Sequence, residues 1–191
     1  MPRIVPLVTN NHPITITKLE AARRQVLQAI RLFFDGGDCV CIHTLAAAAH
    51  GILNDIATAN GTFTIESLIR PDKLRFYCQT VRKDQNFFKH ADKDPQAALV
   101  FSPARTHFVL FEAAFLMGSL LAKTDSAPVR SPFAWSRESM VFMWWFGAKY
   151  PETVSWNDEQ MTQILSIASP DDLELFRNVL APRLKGAEKG P

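Results

Sequence analysis

The sequence predicts an all-α fold: a helical bundle of four or five core helices with a short α-helical C-terminal extension. Three observations predict it. Apolar residues recur at spacings of three and four along most of the 191 residues, which is the period of one helix face. Polar start signals and Gly or Pro stop signals bracket those stretches. No stretch needs a sheet to explain its pattern.

Residues 1–16 read as an N-terminal lead-in broken by Pro2, Pro6 and Pro13. The bundle domain is expected over 17–181, with a flexible polar tail at 182–191. Thr17-Lys18-Leu19-Glu20 forms a capping box in which the Thr17 hydroxyl bonds the Glu20 N–H and the Glu20 carboxylate reaches back. The helix it opens buries Leu19, Ala22, Val26, Ile30 and Phe33 or Phe34. Arg23, Arg24, Gln25, Gln28 and Arg31 form its wet face, and Asp35-Gly36-Gly37-Asp38 stops it. A second helix is expected from about Ile42 to Ala59, closed by Asn60-Gly61. Its Ala46-Ala47-Ala48-Ala49 run is smooth on all sides, which places it in the middle of the bundle. Residues 62–70 read as a short extended connector.

The third helix begins near Pro71-Asp72, buries Leu74, Tyr77, Val81 and Phe88, and runs to Asp94-Pro95. Ser102-Pro103 starts a fourth, apolar almost all round. After a Ser/Pro loop at 124–132, a fifth helix spans about Ser136 to Tyr150. Its Met143-Trp144-Trp145-Phe146 run is assigned to core or dimer packing. Two short helices follow at 157–168 and 170–181, the second capped by Asp171 or Ser169.

Composition narrows the function classes. Hydrophobic residues make up 47% of the chain, so it folds around a core. The net charge of +2 is too small to imply nucleic-acid binding by itself, and any basic patch must be local. Three cysteines give neither a disulfide framework nor a paired zinc site, so reduced thiols and a cytoplasmic location are expected. No secretory leader is visible at the N-terminus, and the apolar runs read as too short for a membrane span. No membrane partner is expected.

One stretch carries chemistry. Read as a helix, 82–93 puts Arg82, Asn86 and His90 at one-turn intervals, with Lys83, Gln85, Lys89 and Lys93 beside them. A cation, a carboxamide and an imidazole in one line could hold a phosphodiester. His90 would move protons near neutral pH, since an ordinary imidazole has a pKa of about 6.5. RNA cleavage through its own 2′-hydroxyl needs a base, an acid and a cation, and no metal. His43, on the neighbouring helix, is the candidate second imidazole, and two stripes meeting across a two-fold axis would complete the set. The histidines lack the His-x-x-x-His or Glu-x-x-His spacing of bundle metal sites, so no metal or other cofactor is expected.

Gln85-Asn86-Phe87-Phe88-Lys89-His90 resembles the motif of the HEPN superfamily: Arg, a polar residue often Asn, three further residues, then His. The segments Ile42 to His50 and Asn86 to Pro95 also resemble stretches of a set of uncharacterised bacterial all-α proteins. The HEPN resemblance implies a helical, usually dimeric domain, in many members a metal-independent ribonuclease of toxin or phage-defence systems. It implies His90 as acid–base residue with Asn86 as its neighbour. It departs at Gln85, which stands where the motif has Arg, and a neutral amide cannot meet developing phosphate charge; Arg82 and Lys89 are the candidate replacements. The functional expectation is RNA cleavage or RNA binding through this groove. The alternative is a non-catalytic helical scaffold or binding protein. The partners expected are a second copy of the chain, RNA or a nucleotide, and a protein such as an antitoxin.

Overall fold

Helix α1 (Lys18–Phe34) starts where Thr17 can cap it, its hydroxyl accepting the Glu20 N–H at 3.1 Å. The reciprocal half of the capping box is not made. The Glu20 carboxylate instead accepts from Arg24 at 2.9 Å and Arg23 at 3.4 Å, because the wet face offers charged donors within one turn. Substituting Thr17 with alanine is expected to lower stability by about 1 kcal/mol in urea denaturation. An unchanged midpoint would show that the exposed cap is idle. At the other end Gly36 takes φ +69° and the chain turns back on itself, Gly37 N–H bonding Leu32 O at 2.8 Å.

This computed structural model describes residues 13–90, 92, 94–124, 135–153 and 169–180, the side chains of Arg82, Lys123, Thr124 and Leu180 excepted. The first twelve residues of the expected lead-in, the Ser/Pro loop from 125, the expected helix 157–168 and the tail lie outside them. Among the described residues there are six α-helices and no strand.

Helix α2 (Cys39–Ala59) begins three residues earlier than its apolar pattern suggests. Asp38, read from the sequence as part of a stop, caps it and accepts from both Val40 and Cys41 N–H at 2.9 Å. Its Ala46, Ala47 and Ala49 are fully buried, and it packs against α1, against α3 (Pro71–Lys89) and against α4 (Ala104–Thr124), so it is the central helix. The connector before α3 is not extended throughout: Ile65–Leu68 forms a 3₁₀ turn that buries Ile65.

By length and composition α2 and the Ala104–Ala122 part of α4 could each cross a bilayer, contrary to the sequence expectation. Here Leu53 of α2 and Leu110, Leu116 and Met117 of α4 are buried in the bundle, while Val40 and Phe108 stay exposed.

Helix α5 (Arg137–Lys149) is capped by Ser136 and tied to α1 by the Arg31–Glu138 pair at 2.8 Å. Met143, Trp145 and Phe146 are core residues, as expected. Helix α6 (Leu173–Leu180) is capped by neither Ser169 nor Asp171. Asp172 accepts the Leu175 N–H at 3.0 Å, because it stands immediately before the first helical residue. Phe176 of α6 stacks on Phe34, ring centres 5.9 Å apart, so the C-terminal helix closes the same core.

Candidate functional site

Helix α3 lies at the edge of the bundle. Among its described side chains only Asp84 is buried; Leu74, Tyr77, Val81 and Phe88 are half-buried. Its polar residues therefore divide into an outer set facing solvent and an inner set facing α2 and α4.

The outer set holds part of the expected stripe. Helix α3 ends at Lys89, and His90 is its C-cap with extended backbone angles, φ −128° and ψ 125°. The His90 N–H still bonds Asn86 O at 3.0 Å, but the backbone turns extended at His90 itself, so the helix expected to run to Asp94-Pro95 stops short. Two causes act together. Pro95 bars helix at Asp94, and the carboxylates of Asp92 and Asp94 would sit at the negative end of the helix dipole, where Lys89 is favoured instead. His90 Nδ1 lies 4.0 Å from Asp92 Oδ1, with both side chains well exposed. Lys83, Asn86 and His90 nevertheless line one open groove of about 830 Å³, with Phe87 as its aromatic wall and Asp92 and Asp94 on its margin. Lys89 is exposed. Arg82 belongs to α3, but its side chain lies outside those described, as does Lys93 altogether.

Two expected members belong to the inner set. Gln85 turns inward and donates from Nε2 to the Ala47 carbonyl at 3.1 Å, because that α2 carbonyl lies under α3 and a neutral amide can be half-buried cheaply. His43 is 1% exposed, packed edge-on to Phe88 and Phe101, with Nδ1 3.3 Å from Thr106 Oγ1. Burial holds its pKa below the usual imidazole range, Asp84 opposing and Arg105 assisting. His43 is a core residue and cannot join His90 as a second imidazole, since Phe88 lies against its ring.

The inner set contains chemistry that sequence reasoning missed. Arg105 Nη1 pairs with the buried Asp84 Oδ1 at 3.1 Å while Nη2 holds Val100 O at 2.9 Å. Deeper, Glu112 Oε2 of α4 lies 3.3 Å from His50 Nε2 of α2. Burial lifts the Glu112 carboxyl to about 7. The Tyr77 hydroxyl pulls the other way, and Glu66 adds to the rise. Burial also holds His50 low, Glu66 opposing, and pushes the Tyr77 phenol up, Glu112 adding to it. The facing Glu112 and His50 atoms are buried without an aligned hydrogen bond among the described residues.

Two hollows meet this layer. A pocket of about 90 Å³ takes in His50, Asn54, Glu66, Tyr77 and Gln85. A larger cleft of about 460 Å³ between α3 and α4 has Phe76, Val81, Phe108 and Val109 for walls, with Tyr77 and Glu112 also on its lining. A sequence signal for Glu112 existed: it is the only acidic residue in the 21 residues of α4. Among the described residues no three His, Cys, Asp or Glu side chains converge as metal ligands. The chain matches no protein-family model, no curated protein and no solved structure.

Proposed function

We propose that this chain binds single-stranded RNA along the outer face of α3, holding it without cutting it as a lone subunit. One observation carries the reading: Lys83, Asn86 and His90 share a groove walled by Phe87. A cation for phosphate, an amide and an imidazole for base edges, and a ring for stacking are what single-strand recognition uses. Residues 70–89 hold six basic side chains against Asp72 and Asp84, so α3 is a basic helix, while Asp92 and Asp94 stand on the groove margin.

Binding is preferred to cleavage because each subunit offers the groove one imidazole. His43 lies in the core, and Gln85 stands where the HEPN motif has Arg. General acid–base cleavage needs a second proton-transfer group, which a symmetric dimer could supply as a second His90.

The test is fluorescence anisotropy with a labelled single-stranded RNA. Lys83→Glu is expected to weaken binding about tenfold, and wild-type log K to fall with log salt by about 0.7 per phosphate contacted. No binding at low salt, or binding indifferent to Lys83, would end the reading. Incubation with and without chelator, beside His90→Ala, tests cleavage. Chelator-resistant cutting that the variant abolishes would mean a metal-independent nuclease, and sedimentation would then show a dimer.

A further inference from the structure

The groove on α3 changes sign along its length. Lys83 lines it toward one end, and the carboxylates of Asp92 and Asp94 line it beyond the last helical residue, Lys89. A rise of about 1.5 Å per residue puts Lys83 and His90 about 10 Å apart along the axis, the reach of one nucleotide from phosphate to base edge. A phosphate is drawn to the Lys83 end and repelled from the Asp92 end. The acidic end therefore suits the uncharged part of a nucleotide, its base. Apolar surface for a base is present there: Phe87 is 36% exposed, and Val100, on the same lining, is 94% exposed. We propose that this end of the groove selects guanine, Asp92 accepting from its pairing edge while Phe87 stacks on its ring. The inference rests on the RNA reading and adds to it the base that is preferred.

The choice of base follows from the order of donors on its edge. A carboxylate only accepts hydrogen bonds. In a single strand the pairing edge of each base is open to be read. Guanine presents two neighbouring donors there, N1–H and N2–H, and then the O6 acceptor. Adenine and cytosine each present one amino group beside a ring nitrogen that accepts. Uracil presents one N–H between two carbonyls. Two carboxylate oxygens thus meet two donors only at guanine; at the other bases one oxygen faces a lone pair. Asn86, on the same lining, has a carboxamide N–H to give to O6. Asp92 is assigned ahead of Asp94 by its neighbour. Its Oδ1 lies 4.0 Å from Nδ1 of His90, a ring that lines the groove, near enough to be attracted and too far to be spent on a hydrogen bond. Asp94 is tied by its carbonyl into the next turn, accepting the Ala97 N–H at 2.9 Å.

The experiment uses labelled oligouridylates, one all-U and the others with a single central G, A, C or inosine, titrated at low salt by anisotropy. The G oligonucleotide is expected to bind at least about tenfold tighter than the A, C and all-U ones. Inosine keeps N1–H but lacks the N2 amino group, so it should lose most of that gain. Asp92→Asn should erase the guanine preference. It should leave all-U binding unchanged or tighter, because it removes a negative charge from a face that holds phosphate. Asp92 is well exposed, so the substitution spares the fold. Equal binding of every base, a guanine preference that persists in Asp92→Asn, or an equal loss on every oligonucleotide in that variant would each overturn the proposal and leave the RNA reading standing. No binding of any oligonucleotide would sink both.

Discussion

Replacing Asp84 with alanine is expected to cost about 2–4 kcal/mol and to loosen α3 before the rest of the bundle. Asp84 is 1% exposed and pairs with Arg105 at 3.1 Å, which is itself partly exposed. Removing one member of a buried pair leaves the other charge facing a low-dielectric space, and that loss is larger than the net worth of the pair. Arg105 can swing its head toward water, which puts the cost toward the lower part of the range for buried pairs. The effect should concentrate on α3, whose remaining ties are few. Gln85 bonds Ala47 O, Phe88 meets Phe101 and His43, and Tyr77 faces Glu112. Urea unfolding gives the total. Hydrogen exchange gives the distribution, with α3 amides exchanging faster than those of α2. Asp72→Ala is the control: its pair with Arg70 is exposed and worth well under about 1 kcal/mol. A loss at Asp84 no larger than at Asp72 would show that α3 is held by apolar contact alone.

The same residue shows what the sequence could and could not display. Helix ends were legible where the signal is local. Thr17, Gly36, Gly61 and Ser136 act within a few residues of themselves, and each stands where the chain turns or a helix starts. Asp38 was misjudged because one residue can follow a stop and still begin the next helix. The central place of α2 was legible from its alanines, since small side chains permit close approach on any side. The groove was half legible. Spacing placed Lys83 and Asn86 on a shared helix, but only the backbone break after Lys89 decides where His90 points. The inner layer was illegible in its pairing. Asp84 and Arg105 are twenty-one residues apart and His50 and Glu112 sixty-two, so nothing local announces that they meet. What local sequence did carry was one anomaly: a single acid in the apolar helix α4.

The anomaly in α4 yields the second large expectation. Glu112→Gln should leave stability unchanged at pH 4 and raise it by up to about 3 kcal/mol at pH 8. The sign follows from the two states. Unfolded, the carboxyl ionises near 4.5; folded, burial holds its proton to about 7. Between those values the folded chain keeps a proton that the unfolded chain has released, so the stability that Glu112 permits below pH 4.5 is lost as pH rises through 7. His50, Tyr77 and Glu66 face the carboxyl, and none supplies a fixed positive charge to offset the loss. Glutamine keeps the shape and the polar contacts but has nothing to ionise. The wild-type curve alone would hide this. Burial, with Lys149 assisting, drops the His107 pKa from 6.5 to about 4, so its contribution falls as pH falls over much of the same window. Two opposed slopes make a nearly level sum, and only the difference between variant and wild type isolates Glu112. Melting both proteins from pH 4 to pH 8 gives that difference. A gain equal at both ends would place the cost in packing, and the carboxyl would then have no part in the pH response.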